Sequence, residues 1–403
     1  MHLYYGVLVG LAYEIPQMFS GLYAGSLTKT GNRKMMLISV VAILSMFQFG
    51  VGVIDSFFLL AIVRILHGAI GASISPLAFS LVADNFPAER RGTANSILSA
   101  SNFAGMALSS MSILLIKTLG WRATYCVMGS IGILGAFVAQ LVLKNPKRQA
   151  EKVAQTVQTQ VKEGEREEPK KPKGFKQFIS QLGEINQNPV CRNIFIAGFV
   201  RSLASVIVTM YQPVFFQKVF PAFKSQYSLL NAAALTLFGF SSSIIGGIIC
   251  DKFRSKSFMT ESLVVIIGHC LCVPMIAIGA FSTNFWCSLA FFSLNVLVSG
   301  CYLAPAVTMM QNSTDSSNSG FVVSALAFYG NIASSLSPLF FGFLAQRMGA
   351  VANPRIYGYI ILAAVIIGYL GSNFFYWRAG KEYTKLMKRK DAERQGSQSL
   401  VPA

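Results

Sequence analysis

Eleven apolar stretches of roughly 20 to 28 residues, separated by short polar loops, account for most of this chain. They fall near 5–27, 34–54, 57–84, 92–116, 122–143, 191–215, 227–250, 258–281, 285–310, 320–346 and 355–377. A helix of this length crosses a hydrocarbon core of about 30 Å. Helix is the expected form, because lipid leaves each backbone N–H and C=O to find its partner within the segment. The alternating short strands of a barrel are not visible. The pattern predicts an all-α polytopic membrane protein of about 11 transmembrane helices.

One long polar interruption, from residue 145 to about 190, is rich in Lys, Glu, Gln and Pro. Such composition cannot bury a core. Within it, Phe175, Phe178, Ile179, Leu182 and Ile185 recur at helical spacing with polar residues between them. That pattern fits a short amphipathic helix near 174–186, either lying on the membrane surface or packed on the bundle. Four regions are therefore expected. They are a five-helix bundle (1–144), a linker (145–189), a six-helix bundle (190–378) and a basic tail (379–403).

Composition agrees with the pattern. Charged residues make up 12% of the 403, and the mean hydropathy is +0.53. The net charge of +18 invites a nucleic-acid reading, but its distribution opposes one. Of 34 Lys and Arg residues, 26 lie in one alternating set of loops plus the linker and tail. Only Lys117, Arg122, Lys218, Lys224, Arg347 and Arg355 lie in the opposite set. By the positive-inside rule the linker and C-terminus face the cytoplasm. The basic charge then sets orientation and attracts anionic headgroups. The lipid bilayer is the expected partner, nucleic acid is not, and a monomer is expected. The first apolar stretch is too long for a signal peptide, lacks a basic start, and carries Glu14 and Pro16. The seven cysteines show no zinc or Cys-x-x-Cys spacing, so no metal site is expected.

A short basic loop occurs twice. The first copy runs from Ala24 to Lys34 and the second from Gly247 to Lys256; Lys29 aligns with Lys252, and Arg33 with Lys256. Each copy ends one apolar stretch and opens the next. A polytopic chain with such an internal repeat is read as two duplicated bundles. The first loop follows the first apolar stretch, whereas the second follows the second stretch of its half. The register places one helix before Met1 in an intact twelve-helix arrangement.

These loops resemble the signature of the major facilitator superfamily. The second copy keeps Gly247, Asp251, Lys252 and Lys256, with Arg254 where Gly is usual. The first keeps Lys29, Gly31 and Arg33, with Thr28 at the acid and Ala24 at the first Gly. Arg64, His67, Gly68, Gly71 and Ala72 resemble the family's Arg-x-x-x-Gly-x-x-Gly stretch, and Gly120-Trp121-Arg122 is also typical. A narrower likeness to the spinster-type branch rests on Ala72-Ser73, Pro76, Ala83 to Pro87, and Arg90-Arg91-Gly92. That branch includes lysolipid and sphingolipid exporters. It carries a Glu where this chain has Gly71, and an acid on the first helix. The resemblance implies a two-bundle fold, 5 + 6 here, and alternating access. It also implies that Thr28, Lys29, Gly31, Arg33, Gly247, Asp251, Lys252 and Arg254 form conformational latches. The N-terminal latch is expected to be the weaker, because Thr28 carries no charge. A plainer reading leaves these charges with topology alone.

Two cations stand inside apolar stretches. A charge at the centre of a helix costs roughly 2.5–3.5 kcal/mol on insertion scales, so Arg64 and Arg201 need a partner or a watery cavity. Glu14 lies at a depth comparable to Arg64, and a Glu14–Arg64 pair is one reading; an anionic substrate is another. Ser73, Asn102, Tyr211, Gln212, Asn295, Tyr302 and Asn331 are cavity candidates, or equally interhelical glue. His67 reads as a packing residue before a proton relay. Pro76, Pro305 and Pro338 permit kinks. Gly129, Gly132 and Gly135 share one helix with no strand before it, which points to close helix packing rather than nucleotide binding.

No Walker motif and no nucleophile–base–acid set occurs, so neither an enzyme nor a cofactor is expected. The reading is a secondary-active or facilitative transporter of a small solute or lysolipid-like amphiphile, with protons as a further coupling partner. The alternative is a transport-incompetent sensor or scaffold derived from a transporter.

Overall fold

The computed structural model describes residues 16–17, 19–21, 23–25, 32–143, 174–254, 256–350 and 352–398. Glu14, Thr28, Lys29, Gly31 and most of the linker lie outside the described residues. Among the described residues there is no strand, and nine helices are long and apolar enough to cross a bilayer. The chain is an all-α polytopic membrane protein. Of the two other apolar stretches, 5–27 lies largely outside the described residues. The stretch 92–116 forms the first arm of a bent helix.

The described residues divide into two units. The first comprises Met1–Pro87, Leu108–Glu184 and Thr314–Phe328; the second comprises Ala88–Ala107, Ile185–Ser313 and Tyr329–Ala403. In the first unit, α1 (Arg33–Val53) packs on α2 (Phe57–Gly71) and α3 (Ile74–Asn85). The Asn32 side chain accepts from the Met35 amide and caps α1. Helix α4 (Arg91–Val142), which belongs to the first unit from Leu108 on and to the second before it, bends at Gly120, whose φ of 78° is open to a residue without Cβ. Beyond the bend, Gly129 and Gly132 press on Phe49 and Ser45 of α1, where a Cβ would collide. The glycine spacing thus serves close helix packing.

Helix α5 (Gly174–Gln187), which belongs to the first unit up to Glu184, leads into α6 (Pro189–Val219) of the second unit, whose N-terminus Asn188 caps through the amides of Val190 and Cys191. Then follow α7 (Lys224–Arg254), α8 (Thr260–Phe281), α9 (Phe285–Ser299) and α10 (Leu303–Ser313). The last helices are α11 (Ser319–Arg347), which belongs to the second unit from Tyr329 on, α12 (Arg355–Val365) and α13 (Gly371–Gln398). Helix α6 packs along α12 and α13, and α8 along α9. Phe215, Phe216, Phe220, Tyr227, Phe285 and Phe292 interlock in the core. Phe216 stacks on Tyr227 with centroids 4.5 Å apart. Aromatic pairs of this kind contribute about 0.5–1.5 kcal/mol beyond area burial. The outer faces are apolar instead. Phe58, Leu141, Val142, Leu229, Phe340 and Ile367 are all well exposed, as lipid-facing side chains should be.

Candidate functional site

Two apolar stretches are interrupted at corresponding places. Each is the second span after a copy of the repeated basic loop. In the first, α2 ends at Gly71 and α3 resumes at Ile74, two residues before Pro76. In the second, α9 ends at Ser299, a 3-10 turn spans Gly300–Tyr302, and α10 resumes at Leu303, two residues before Pro305. Proline cannot donate to the carbonyl four residues back, and its ring crowds that carbonyl. Here those carbonyls belong to Ala72 and Cys301, inside the two breaks. Paired interruptions at matching positions of two halves are a sequence-readable pointer to a transport site.

Each interrupted span has an intramembrane cation near it. Arg64 lies on α2, two turns before its break. Its Nη2 donates to the Tyr125 hydroxyl at 3.0 Å, and its guanidinium lies 5.9 Å from that ring centroid. Arg64 is partly accessible, and no described carboxylate pairs with it. Glu14, the partner weighed from the sequence, lies outside the described residues.

Arg201 is 5% exposed in the middle of α6. Its Nε donates to His269 Nε2 at 3.3 Å, and its Nη2 to the Ser299 carbonyl at 3.4 Å, the last residue of α9 before the break. The guanidinium covers the Tyr302 ring at 3.2 Å and lies 5.2 Å from that of Tyr369. A guanidinium can only donate, so His269 Nε2 accepts. The proton then sits on Nδ1, which donates to Asn373 Oδ1 at 2.9 Å. Tyr369 belongs to a π-helical segment, Ile366–Leu370, that joins α12 to α13. Arg201 therefore ties two helix irregularities together, and its charge is met by rings and lone pairs rather than by an acid. Sequence reasoning missed His269, Asn373 and Tyr369. A histidine in an otherwise apolar run was the available signal for the first.

The remaining cavity candidates separate. Asn295, on α9, is buried, with no hydrogen-bond partner found for its Oδ1. Gln212 donates to Asn231 at 3.0 Å, and Tyr211 packs on Tyr357 at 5.4 Å between centroids. Both contacts are interhelical. Ser73 sits in the first break and makes no cap with its side chain. Asn102 is exposed, and Asn331 accepts from Ser335 through its backbone carbonyl.

The latch residues take distinct places. In the first unit, Arg33 is buried against Asp84 and donates to the Ser80 carbonyl at 3.2 Å. In the second, Asp251 accepts from the Thr93 amide at 2.7 Å, one of the free donors in the first turn of α4. A carboxylate there also meets the positive end of the helix dipole. Gly247 rests against Ser96 and the Gly92 carbonyl, with no room for a side chain. Arg254 donates to the Ala88 carbonyl and, at 2.9 Å, to the Tyr383 hydroxyl. Its Nε lies 3.9 Å from the buried Glu261. Lys252 is exposed and makes no hydrogen bond or ion pair among the described residues. Asn312 is buried, accepts from Arg91 at 2.9 Å and donates to Tyr383 at 3.1 Å.

Comparison with known proteins gives the same fold. A model of the Major Facilitator Superfamily matches residues 3–338. A probable galactarate/D-glucarate transporter, GudP, of Bacillus subtilis is 25% identical over 382 residues, covering 90% of this chain and 81% of its own. The crystal structure of a major facilitator transporter, FucP, in the outward conformation has a TM-score of 0.66 at 15% identity, covering 91% of this chain and 89% of FucP. A bacterial homologue of the human lysosomal transporter Spinster, inward-facing and unoccupied, gives 0.55 at 18% identity, covering 95% of this chain and 90% of its own. The repeated loop, the two broken spans and the match across most of the chain converge: this protein belongs to the major facilitator superfamily of membrane transporters.

Proposed function

We propose that the chain carries a small organic anion, lysolipid-like amphiphiles included, by alternating access. A proton gradient or the solute's own gradient drives it. The observation that carries this reading is the pair of interrupted spans, at Ala72–Ser73 and Gly300–Tyr302, with Arg64 near the first and Arg201 against the second. Broken helices free backbone groups to meet a solute without a standing cost in lipid. Arg64 is the solute-facing cation in this proposal. Among the described residues its partner is a tyrosine hydroxyl and not a carboxylate, so an arriving carboxylate or phosphate gains a charge-assisted bond. Arg201 is the positioning cation, holding the second break in shape. GudP, named for two sugar dicarboxylates, supports an anionic solute class. The basic loops, the linker 145–189 and the tail 379–403 face the cytoplasm. The Asp251–Thr93 and Arg33–Asp84 contacts act as latches that the transport cycle makes and breaks.

Reconstituted vesicles test the proposal. Uptake of labelled glucarate or of a lysophosphatidic acid should be saturable, and Arg64→Ala should lower it about tenfold or more, as expected when a charged hydrogen bond is lost. Wild-type uptake in an Arg64→Ala protein that inserts normally contradicts the assigned role.

A further inference from the structure

A ligand-sized space that no residue of the helix breaks lines lies at the N-terminal end of α6 in the second unit. It encloses about 450 Å³ between α6 and α11. One wall is a single face of α6, where Arg192, Phe195, Ile196 and Phe199 follow at helical spacing. The other wall is Tyr329 and Ile332, one turn apart on α11. At the mouth, Asn186 from the end of α5 donates to the Tyr329 hydroxyl at 2.9 Å, which fixes the gap between the walls. The Phe195 and Tyr329 rings lie 5.3 Å apart and line the interior.

The polarity is graded. Arg192 stands three residues inside the start of α6, is exposed, and has no ion pair or side-chain hydrogen bond among the described residues. The first amides of α6 are already taken by Asn188, so the unpaired donor at this level is the guanidinium. Phe199 lies about 10 Å deeper along the helix, at 1.5 Å per residue. Half a hydrocarbon core is about 15 Å, so the slot runs from the membrane edge well into one leaflet. A cation at the headgroup level above an aromatic slot matches a molecule with one anionic end and one apolar chain. The volume falls toward the lower end of the 300–1,000 Å³ typical of ligand sites, which suits one chain rather than two.

We propose that this slot is a docking site for an anionic membrane lipid of the leaflet on the basic-loop side. Its phosphate binds Arg192, and one acyl chain lies along Ile196, Phe199 and Ile332, over the floor formed by the touching Phe195 and Tyr329 rings. Neither Arg64, Arg201 nor a residue of the two helix breaks lines the site. A resident lipid here would brace the entry of α6 against α11.

The test uses the full chain in phosphatidylcholine nanodiscs with a phosphatidic acid probe carrying a photoactivatable group in one acyl chain. Crosslinks should map to the α6 peptide around Phe195–Phe199 and the α11 peptide around Tyr329–Ile332. Unlabelled phosphatidic acid should compete, while inorganic phosphate and phosphatidylcholine should not. Arg192→Gln should reduce labelling about tenfold, and Arg192→Lys should keep most of it. Phe199→Trp, which fills the slot, should displace the chain crosslinks without changing the elution profile of the protein. Equal labelling by a phosphatidylcholine probe, unchanged by Arg192→Gln, would overturn the proposal in favour of bulk lipid. Competition by inorganic phosphate alone would overturn it in favour of a soluble anion. Both readouts are independent of uptake, so loss of transport activity leaves the result interpretable.

Discussion

Among the described residues Arg201 meets a histidine nitrogen, a helix-end carbonyl and two tyrosine rings, and no carboxylate. Each is specific to a planar, forked cation. Lysine offers a point charge on a flexible stem and cannot cover a ring while bonding two acceptors. Arg201→Lys is therefore expected to lower the thermal unfolding temperature in detergent nearly as much as Arg201→Leu. Loss of the buried bonds should cost about 1–3 kcal/mol each. Full recovery by lysine contradicts the positioning role. The sequence identified Arg201 as a residue in need of partners, since a cation mid-span must be satisfied. It could not name them, because His269 and Asn373 come from helices 68 and 172 residues further on. The same holds at Arg254 and Glu261, seven residues apart across a loop and both buried. Arg254→Leu leaves Glu261 uncompensated and should destabilise the protein by about 3–5 kcal/mol. The Arg254→Leu, Glu261→Leu double variant should recover part of that loss in the same unfolding measurement. A double variant no more stable than the single one removes the pair from the account of stability.

At the scale of elements, proline chemistry explains the two broken spans, and glycine contacts explain how closely α1 and α4 approach. Pro76 and Pro305 were readable from sequence as kink residues, and the breaks fall within a turn of each. The π-helical segment Ile366–Leu370 was not readable. No proline marks it, and its geometry accompanies the packing of Gly368 against Ala204 and the Val200 carbonyl. Pro305→Ala restores a donor to the Cys301 carbonyl and should let α9 and α10 join. The variant is expected to be at least as stable as wild type yet slower in uptake, as measured by vesicle assay alongside thermal unfolding. Unchanged uptake would assign the break to folding alone. Gly132→Leu places a large side chain on Ser45 and should destabilise the α1–α4 contact by about 1–3 kcal/mol, read by unfolding in detergent.

For the whole molecule, the legible part was the part set by solvent. Stretches long enough to cross a bilayer give the helices directly, because lipid imposes them. The repeated loop added the duplication, and the family match follows it across residues 3–338. What remained hidden is set by tertiary contact. Asp251 was recognised as part of a repeated loop, but its partner is a backbone amide of Thr93, which carries no side-chain signature. Likewise Lys252, next to it and equally prominent in the repeat, is exposed and makes no hydrogen bond or ion pair among the described residues.

Transport is the central claim, and uptake into sealed proteoliposomes measures it most directly. Labelled glucarate and a labelled lysophosphatidic acid should be offered in parallel, with empty vesicles as background. Saturable accumulation of at least one, lowered about tenfold by Arg64→Ala in protein that inserts and elutes normally, is the expected result. Accumulation of neither above empty vesicles, or uptake indifferent to Arg64, contradicts an anion carrier built on these two broken spans.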